Sequence, residues 1–439
     1  MTSGTWSSAE DQRRSLSALV AAAIERYGGK SEGPQPQVPA RVEPVQVDLL
    51  QVDVLRRERP GLVGVLAAAG GSVFHVVLGL RSPGDEAHFL PEAEEPILGL
   101  YEDEDGLAVA IDALFDADLA IALLQAVLPE QASGLAHVRL LAADDSMVRL
   151  AFDDRLTFSF FRRVAPGTNP VVDMLVKLDE AGFNHIPAPL GVWRGPSGDL
   201  GIVQEQLFGA SPGTAVAESS LRDLYESRCD PAEAGGDFAP EAHALGTMTA
   251  RMHLALDRAF GRRPGEPKAW ADEVEKLVSA ADPALLDRPD VAGALVDLRG
   301  LEARCASIRA HGDMHLARVC RTEQGWYLWD LAPQGGEPYG RFVSPLLDVA
   351  TMLWSFGQLA GATAAERDIA GDEDLVELER AWERRSRRAF LAGYLNVPGI
   401  HGLVPHDKYT LRTVTAALEL GRAARERLEV SPADELAGA

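Results

Sequence analysis

The residues best suited to chemistry lie in one short stretch, His311-Gly312-Asp313-Met314-His315. Fifteen residues after His315, Asp330 ends the segment Tyr327-Leu328-Trp329-Asp330, and the intervening residues 321–326 have the composition of a short hairpin. An aspartate in such a loop can accept the proton of a substrate hydroxyl while a nearby imidazole fixes the loop. A second aspartate can hold a magnesium ion that bridges nucleotide phosphates. The spacing therefore suits phosphoryl transfer, which depends mainly on positioning and charge neutralisation.

The same stretch also has a purely structural interpretation. An aspartate beside a glycine often caps a turn through its own side chain. The sequence contains no Walker-type glycine loop, no HExxH and no GxSxG segment that would decide the chemistry. On the residue pattern alone, a phosphotransfer site and a turn-capping aspartate both remain open.

Length and composition limit the class of protein. With 439 residues, 46% of them hydrophobic and 25% charged, the chain suits two or three globular domains. Its 66 acidic and 42 basic residues give a formal charge of -24, which opposes binding to nucleic acid or to an anionic membrane. No apolar run approaches the roughly 20 residues that span a bilayer, and no signal peptide is evident at the amino terminus. We expect a cytoplasmic protein.

The three cysteines show no pattern of a disulfide or a metal site. Cys229, Cys305 and Cys320 are odd in number, far apart and without metal-ligand spacing. We expect reduced thiols, as is usual in a cytoplasmic protein.

The first 133 residues predict one helix and a set of strands. Helical spacing of apolar residues indicates a helix over residues 12–27, and a proline-rich connector follows at 34–44. Residues 102–105 form an acidic loop tip, which we interpret as a solvated turn rather than a metal site. The remaining segments are strands at 45–50, 62–68 and 73–80, and a strand passing into a helix at 107–128.

The rest of the chain predicts an α+β lobe followed by an α-rich lobe. Residues 134–212 show strands at 137–142, 147–152 and from 156, a helix at 171–181, and a hairpin of 190–194 with 200–206. In residues 213–439 we predict helices at 241–259, 271–280, 291–304, 345–359, 374–395 and 408–428, a linker at 261–267, a loop at 332–341 and a frayed tail at 431–439. His253, near the end of the first of these helices, is interpreted as structural rather than catalytic.

Several motifs together resemble one family. They are His311 to Leu316, Tyr327 to Asp330, Gly336-Glu337-Pro338, Ser344 to Leu353, Phe161 to Arg163 with Pro166 to Pro170, Glu180 to Phe183, Phe238 to Glu241 with Leu245-Gly246 and Thr249 to His253, and Arg26-Tyr27-Gly28-Gly29-Lys30. In these the chain is similar to the actinobacterial maltokinases and their glucosamine-kinase relatives, over nearly its full length. The resemblance implies an α+β, bilobal, protein-kinase-like fold of the aminoglycoside-phosphotransferase type. Residues 1–133 would be an amino-terminal α+β cap subdomain, 134–212 the N-lobe, and 213–439 the α-rich C-lobe.

The resemblance also assigns roles to individual residues. Asp313 resembles the catalytic base, His315 its partner in the same loop, and Asp330 the magnesium ligand. The hinge that meets the adenine would be formed by Gln204, Glu205, Gln206 and Leu207. Asp173 resembles the helix carboxylate that pairs with the nucleotide-binding lysine.

The chain departs from the family at positions that matter for chemistry. Ser159 stands where the family has the lysine that cradles the nucleotide phosphates. Arg162 and Arg163 follow it, but their place further along the strand need not bring them to the same point. Arg318 stands where the family has a Gln or Asn as second metal ligand, and a guanidinium cannot coordinate a cation.

Two further departures concern the segments around the site. Leu331-Ala332-Pro333-Gln334 replaces the family's acidic stretch after Asp330, and the terminal helix lacks the sugar-binding Tyr-Glu pattern, with Leu418-Glu419-Leu420 as its nearest match. Acceptor contacts are expected from scattered helical residues, here Asp348, Trp382 and Glu419.

Two functions follow as hypotheses. The first is an ATP-dependent sugar kinase acting on maltose, glucosamine or a related sugar or amino sugar, with ATP and Mg²⁺ as cofactors. Ser159 and Arg318 weigh against both cofactors. The second is a pseudokinase, a kinase-fold binding or regulatory module that could partner enzymes of trehalose and glycogen metabolism.

Overall fold

The computed structural model of the protein describes residues 9–28, 45–91, 96–301, 305–331, 341–367 and 372–434. The chain divides into two compact units, Met1–Val172 with Ala188–Phe208, and Asp173–Pro187 with Gly209–Ala439. Some stretches singled out in the sequence lie outside the described residues. They are Gly29-Lys30, the connector 34–44, residues 302–304, the loop 332–340 with Ala332-Pro333-Gln334 and Gly336-Glu337-Pro338, and residues 435–439.

The first unit begins with a helix and a five-stranded antiparallel sheet. The elements are α1 (Ala9–Gly28), β1 (Asp48–Arg56), β2 (Gly61–Ala69), β3 (Ser72–Arg81), β4 (Ile97–Asp103) and β5 (Gly106–Asp112), in the sheet order β1-β2-β3-β5-β4. Apolar side chains of α1, among them Leu16 and Val20, share a buried cluster with residues of the sheet such as Leu78. The predicted helix and strands are therefore present, but the strand predicted at 45–50 begins only at Asp48, while the others have longer bounds.

The acidic tip is the turn of the hairpin formed by β4 and β5. Asp103 Oδ1 accepts a hydrogen bond from the Asp105 N–H at 3.0 Å, and an Arg59 Nη lies 2.6 Å from the same carboxylate. Gly106, which pairs with Asp103 across the turn, has a φ of +96°, a conformation that favours glycine. The sequence prediction of a turn therefore describes this tip, although it missed the strand β4 that leads into it.

A second five-stranded antiparallel sheet completes the first unit. After a short 3-10 helix (Ala113–Phe115) and α2 (Ala117–Val127) come β6 (Val138–Ala143), β7 (Met147–Phe152), β8 (Leu156–Phe161), β9 (Pro189–Arg194) and β10 (Asp199–Glu205), in the order β6-β7-β8-β10-β9. The helix α3 (Pro170–Glu180) lies between β8 and β9 in the chain. One buried cluster contains Leu123 of α2 together with Phe152 and Phe158 of this sheet. The predicted boundary near residue 133 falls between α2 and β6 and stays a prediction.

The second unit is mainly helical. Its helices are α4 (Gly213–Ser227), α5 (Ala239–Phe260), α6 (Pro267–Ala281), α7 (Pro289–Arg299), α8 (Leu346–Glu366), α9 (Glu373–Leu395) and α10 (Lys408–Asp434). Two three-stranded sheets accompany them, β11 (Ser211–Pro212), β14 (Val319–Thr322) and β15 (Gly325–Leu328), and β12 (Arg262–Pro264), β13 (Ala306–Arg309) and β16 (Phe342–Val343). No helix in the described ranges has the length and apolarity needed to cross a membrane.

Two predictions in this unit were wrong in detail. Residues 262–264, predicted as a linker, form β12, because their backbone pairs with β13, a partner far along the chain that local patterns do not reveal. The helix predicted to reach residue 304 ends at Arg299, where Gly300 interrupts it.

Helices α5 and α9 cross at close range because each contributes a glycine. A Cβ added to Gly246 would overlap the carbonyl oxygen of Phe390, and one added to Gly393 would overlap that of His243. The close crossing lets Tyr394 of α9 reach His253 of α5, and both side chains are wholly buried. The helices thereby form a rigid support below the loop between β13 and β14.

Candidate active site

The loop between β13 and β14 carries the His-Gly-Asp-Met-His motif and is held from below by Asp348. This aspartate lies in the first turn of α8 and is wholly buried. Its carboxylate accepts the backbone N–H groups of His311, at 3.0 Å, and of Gly312, at 2.7 Å. A carboxylate that accepts two backbone N–H groups in this way fixes the backbone that presents Asp313.

A buried relay of hydrogen bonds holds Asp348 in turn. His253 Nε2 lies 2.9 Å from Asp348, and His253 Nδ1 lies 2.8 Å from the Tyr394 hydroxyl. Burial and the negative charge of Asp348 raise the pKa of Tyr394 well above its usual value, so the phenol keeps its proton and donates it to Nδ1. His253 therefore donates from Nε2 to Asp348, a supporting role that agrees with its structural interpretation.

His311 ties this loop to the segment that ends in Asp330. Its Nδ1 accepts the Asp313 N–H at 3.2 Å, and its Nε2 donates to the Asp330 carbonyl oxygen at 3.0 Å. The sequence interpretation gave roles to Asp313 and His315 but none to this first histidine. Its place in the motif was the only available signal.

The carboxylate of Asp313 lies beside two arginines and a histidine. Arg318 Nη2 lies 3.2 Å from Oδ2, His315 Nε2 lies 3.7 Å from the same oxygen, and Arg422 Nη2 lies 3.9 Å from Oδ1. Burial acts to raise the pKa of Asp313, but His315, Arg422 and Arg318 outweigh it and hold the pKa well below its ordinary range. Asp313 is therefore ionised at every pH at which the protein would work.

Arg422 was not found by sequence reasoning. It lies on α10, and its guanidinium stacks over the ring of Trp354 on α8, 4.7 Å from the ring centroid. No motif connects Arg422 with Asp313, since only the packing of α10 near the loop brings them together. A cation held by an aromatic ring in this way is a fixed part of the charge around Asp313.

Arg318 joins the two aspartates of the motif. Its Nη1 forms an ion pair with Asp330 Oδ2, while its Nη2 reaches Asp313, and the side chain is almost fully buried. The short 3-10 helix Leu316–Arg318 turns the guanidinium into this position. The arginine thus lies against the carboxylate that the family resemblance assigns to magnesium.

Magnesium does not fit these residues. The Asp330 carboxylate is already paired with a guanidinium, which supplies a positive charge and no ligand atom. Within the described residues, no group of three or more His, Cys, Asp or Glu side chains could hold a metal ion. No catalytic step is therefore assigned to a metal ion.

Ser159 lies in the middle of β8, opposite Arg149 of β7 and Ile202 of β10. It is buried and points away from the core cluster that contains its neighbours Phe158 and Phe160. A serine here carries no charge for a phosphate.

The two arginines that follow Ser159 have other partners. Arg162 Nη2 lies 3.2 Å from Asp112, and Arg163 Nη2 lies 2.6 Å from Asp145. Neither arginine therefore replaces the missing lysine in this conformation.

The residues proposed for the hinge lie at the end of β10. The Glu205 N–H donates to the Ala188 carbonyl oxygen and the Gln206 N–H to that of Arg155, both at 2.9 Å. The Gln206 side chain also contacts the Thr157 hydroxyl. These two amides are thus committed to hydrogen bonds within the protein, and Gln204 itself pairs with Thr157 of β8.

Asp173, expected to pair with a nucleotide-binding lysine, pairs with Arg309 instead. The guanidinium of Arg309 also stacks over the ring of Phe260, 4.2 Å from its centroid. Arg309 is the last residue of β13, so the pair fixes the start of α3 beside the strand that leads into the loop.

The residues expected to bind the sugar are engaged elsewhere. Asp348 is wholly buried beneath the loop, and Trp382 is 2% exposed, with its Nε1 donating to Ser220 Oγ at 2.9 Å. Glu419 accepts two hydrogen bonds of 2.8 Å from Arg387. Burial raises the pKa of Glu419, although the charge of Arg387 acts to lower it. The described geometry therefore does not support direct sugar contacts from Asp348 or Trp382, because neither side chain is accessible.

Comparisons with known proteins agree with the motifs. No family model matches the chain. The sequence is 29% identical over 248 residues to a glucosamine kinase from Streptacidiphilus jiangxiensis, a match that covers 52% of this chain and 54% of the relative. The chain thus spans about half the length of this curated relative.

Solved structures show the fold. A glucosamine kinase in complex with glucosamine, ADP and inorganic phosphate has a TM-score of 0.63, 20% identity and coverage of 94% of both chains. Crystal form A of a glucosamine kinase gives a TM-score of 0.62 with the same identity and coverage. The predicted resemblance is confirmed: the chain is similar in sequence to glucosamine kinase, and its α+β, protein-kinase-like fold is the fold of that enzyme.

Proposed function

We propose that this chain is a sugar kinase, which transfers a phosphoryl group from ATP to a hydroxyl group of a sugar or amino sugar. The observation that carries the proposal is the Asp313 carboxylate, ionised and held on a loop whose backbone is bound by Asp348. The similarity to glucosamine kinase supports the same class of acceptor. Glucosamine is therefore the first acceptor to test, followed by maltose.

Asp313 is the residue for which we propose direct chemistry. Its carboxylate would orient the acceptor hydroxyl and accept the proton as the hydroxyl oxygen forms a bond to the γ-phosphorus and the bond to ADP breaks. ATP, when bound, would supply the phosphoryl group. The Asp313 carboxylate is ionised and can therefore accept that proton. Arg318 and Arg422 would contribute positive charge beside the reacting oxygens.

Arg318 favours a second candidate function, a pseudokinase that binds ligands or partners without transferring phosphate. Its ion pairs neutralise the aspartates at the position where the family resemblance calls for a metal ion. Loss of one such electrostatic group typically lowers a rate by about 10²–10³-fold, and Ser159 adds a second loss. A partner enzyme of trehalose or glycogen metabolism stays a prediction.

The test is phosphoryl transfer from radiolabelled ATP to glucosamine, maltose and glucose, measured with and without Mg²⁺. The sugar-kinase proposal predicts a labelled sugar. Asp313→Asn should lower the rate of phosphoryl transfer by at least about 10²-fold, since it removes the base but keeps the shape of the side chain. Arg380→Gln, an exposed change on α9, is the matched control and should retain activity.

If no sugar is labelled, binding decides between the two candidates. The pseudokinase proposal predicts that the wild type transfers no phosphoryl group. It also predicts that the double variant Ser159→Lys with Arg318→Gln recovers nucleotide binding, which is measured as a thermal shift with ATP. Transfer by the wild type that disappears in Asp313→Asn would end the pseudokinase proposal.

A further inference from the structure

Two neighbouring cavities of the second unit share His185 and Arg251, and we call the pair the arginine cleft. One has a volume of about 280 Å³ and includes Arg258, and the other, of about 330 Å³, is lined by residues of α5 and of the β14–β15 hairpin, among them Arg321 and Trp326. Volumes near 300 Å³ are at the lower end of the range of small-molecule sites. None of the residues discussed for the candidate active site lines either cavity.

The cleft is positively charged in a strongly acidic protein. Arg251 and Arg258 lie seven residues apart on α5, so they project from the same face of the helix. Arg258 donates to the Ala181 carbonyl oxygen at 3.0 Å, and within the described chain neither arginine has an acidic partner. Among the described residues that line the two cavities there is no aspartate or glutamate. Arg321 is the third arginine of the cleft, and its Nε lies 2.9 Å from Glu241 Oε2.

A buried donor without a partner points to a ligand in the larger cavity. Trp326 is 2% exposed and lines this cavity, and its indole Nε1 has no hydrogen-bond partner among the described residues. An indole nitrogen can only donate, and a buried donor is normally paired. A ligand oxygen hydrogen-bonded to this nitrogen would supply the missing partner.

The pKa of His185 also responds to the positive charge of the cleft. Its Nδ1 donates to the Trp326 carbonyl oxygen at 2.9 Å, which leaves Nε2 as the atom that can gain a proton. Burial lowers the pKa of His185, and the charge of Arg251 lowers it further. An anion bound between His185 and Arg251 would offset the lowering of the His185 pKa by the charge of Arg251.

We propose that the arginine cleft binds a small phosphate-bearing metabolite, with the phosphate on Arg251 and the Trp326 indole N–H and the rest of the molecule in the larger cavity. A phosphate matches the planar guanidinium, which can donate two parallel hydrogen bonds to it. Its remaining oxygen atoms can accept from Trp326 and Arg321. The site is separate from Asp313, so it exists whether or not the chain transfers phosphate. Long-range repulsion by the net charge of -24 is screened over about 8 Å at physiological salt, and the adjacent arginines act within that distance.

The experiment is titration calorimetry at fixed ionic strength with inorganic phosphate, glucose 6-phosphate and glucose as the neutral probe. We expect glucose 6-phosphate to bind, inorganic phosphate to bind more weakly, and glucose alone not to bind at this site. Equal affinities of the two phosphates would identify free phosphate as the ligand and would overturn the part of the proposal that places a metabolite body in the cavity.

Variants show whether the binding belongs to the cleft. Arg251→Gln should weaken glucose 6-phosphate binding at least about tenfold, and Trp326→Phe should weaken it while keeping the packing of the ring. Arg380→Gln is the control for the loss of one positive charge from the surface, and it should bind as the wild type does.

A change at the other site keeps the test specific. Arg318→Gln alters the surroundings of Asp313 and should leave binding at the cleft unchanged. The proposal is overturned if glucose 6-phosphate does not bind, or if Arg251→Gln and Trp326→Phe both bind it as tightly as the control. Binding that is lost only in Arg318→Gln would place the ligand at Asp313 and would equally overturn it.

Discussion

Arg318 forms a buried ion pair with Asp330, twelve residues further along the chain, and the same guanidinium lies 3.2 Å from Asp313. The two carboxylates therefore already have a positive counter-charge that belongs to the protein. A bound divalent ion would have to displace this guanidinium and leave it buried without a partner. Such a displacement is unfavourable, because an unpaired charge in a buried position is strongly destabilising.

Arg318→Gln should create a response to Mg²⁺ that the wild type lacks. With the guanidinium removed, Asp313 and Asp330 repel each other, and we expect the variant to lose about 2–4 kcal/mol of unfolding free energy in the absence of metal. Mg²⁺ at millimolar concentration should recover part of this loss in the variant only. Thermal unfolding with Mg²⁺ or EDTA measures both effects, and Arg380→Gln is the control. An equal Mg²⁺ stabilisation of the wild type would contradict the assignment.

Asp348→Asn should weaken the support of the loop that carries Asp313. Asparagine keeps the shape, but its NH₂ group cannot accept from the amides of His311 and Gly312 and the imidazole of His253 together. We expect a loss of about 2–4 kcal/mol in urea unfolding, because buried donors are left unsatisfied. His253→Gln, which affects one of the three donors, should cost less. If Asp348→Asn unfolds at the wild-type urea concentration, Asp348 does not anchor the loop.

How far the sequence predicted this site depends on how local each interaction is. The motif around Asp313 and the helix that carries Asp348 follow from continuous stretches of sequence, and so do most helices and strands. Arg422 could not be found, because its approach to Asp313 depends on how α10 packs. Likewise, Arg309 takes the place of the expected partner of Asp173 only through tertiary contact. The strand β4 was missed because its register shifts between Ile97 and Gly99, which breaks the alternating pattern.

His75 should make the protein less stable as the pH falls from 7 to 5. This histidine packs against the rings of Phe160 and Trp193, at 4.6 and 4.8 Å between centroids, and burial lowers its pKa to about 3. Its pKa in the unfolded chain is the ordinary 6.5. Between these values the unfolded state binds the proton and the folded state does not, so unfolding becomes easier as the pH falls below 6.5.

The expected loss of unfolding free energy through His75 is about 2 kcal/mol between pH 7 and pH 5. His75→Phe keeps an aromatic ring at the site and cannot titrate, so the difference between wild type and variant isolates this histidine. The exposed His137, changed to Gln, is the control for the loss of one histidine from the protein surface. If His75→Phe loses as much stability at pH 5 as the wild type does, His75 is not the titrating group.

Two glycine substitutions should have opposite effects on stability, and their difference tests the crossing of α5 and α9. Gly246→Ala places a methyl group against the carbonyl oxygen of Phe390, so the helices must move apart and the loop support with them. We expect a loss of about 1–3 kcal/mol or more, typical of overpacking. Gly293→Ala adds the same methyl group to α7, where nothing lies within 4 Å of it, and should add up to about 1 kcal/mol through helix propensity. Urea unfolding measures both variants, and equal stability of the two would show that the close crossing does not hold α5 in place below the Asp313 loop.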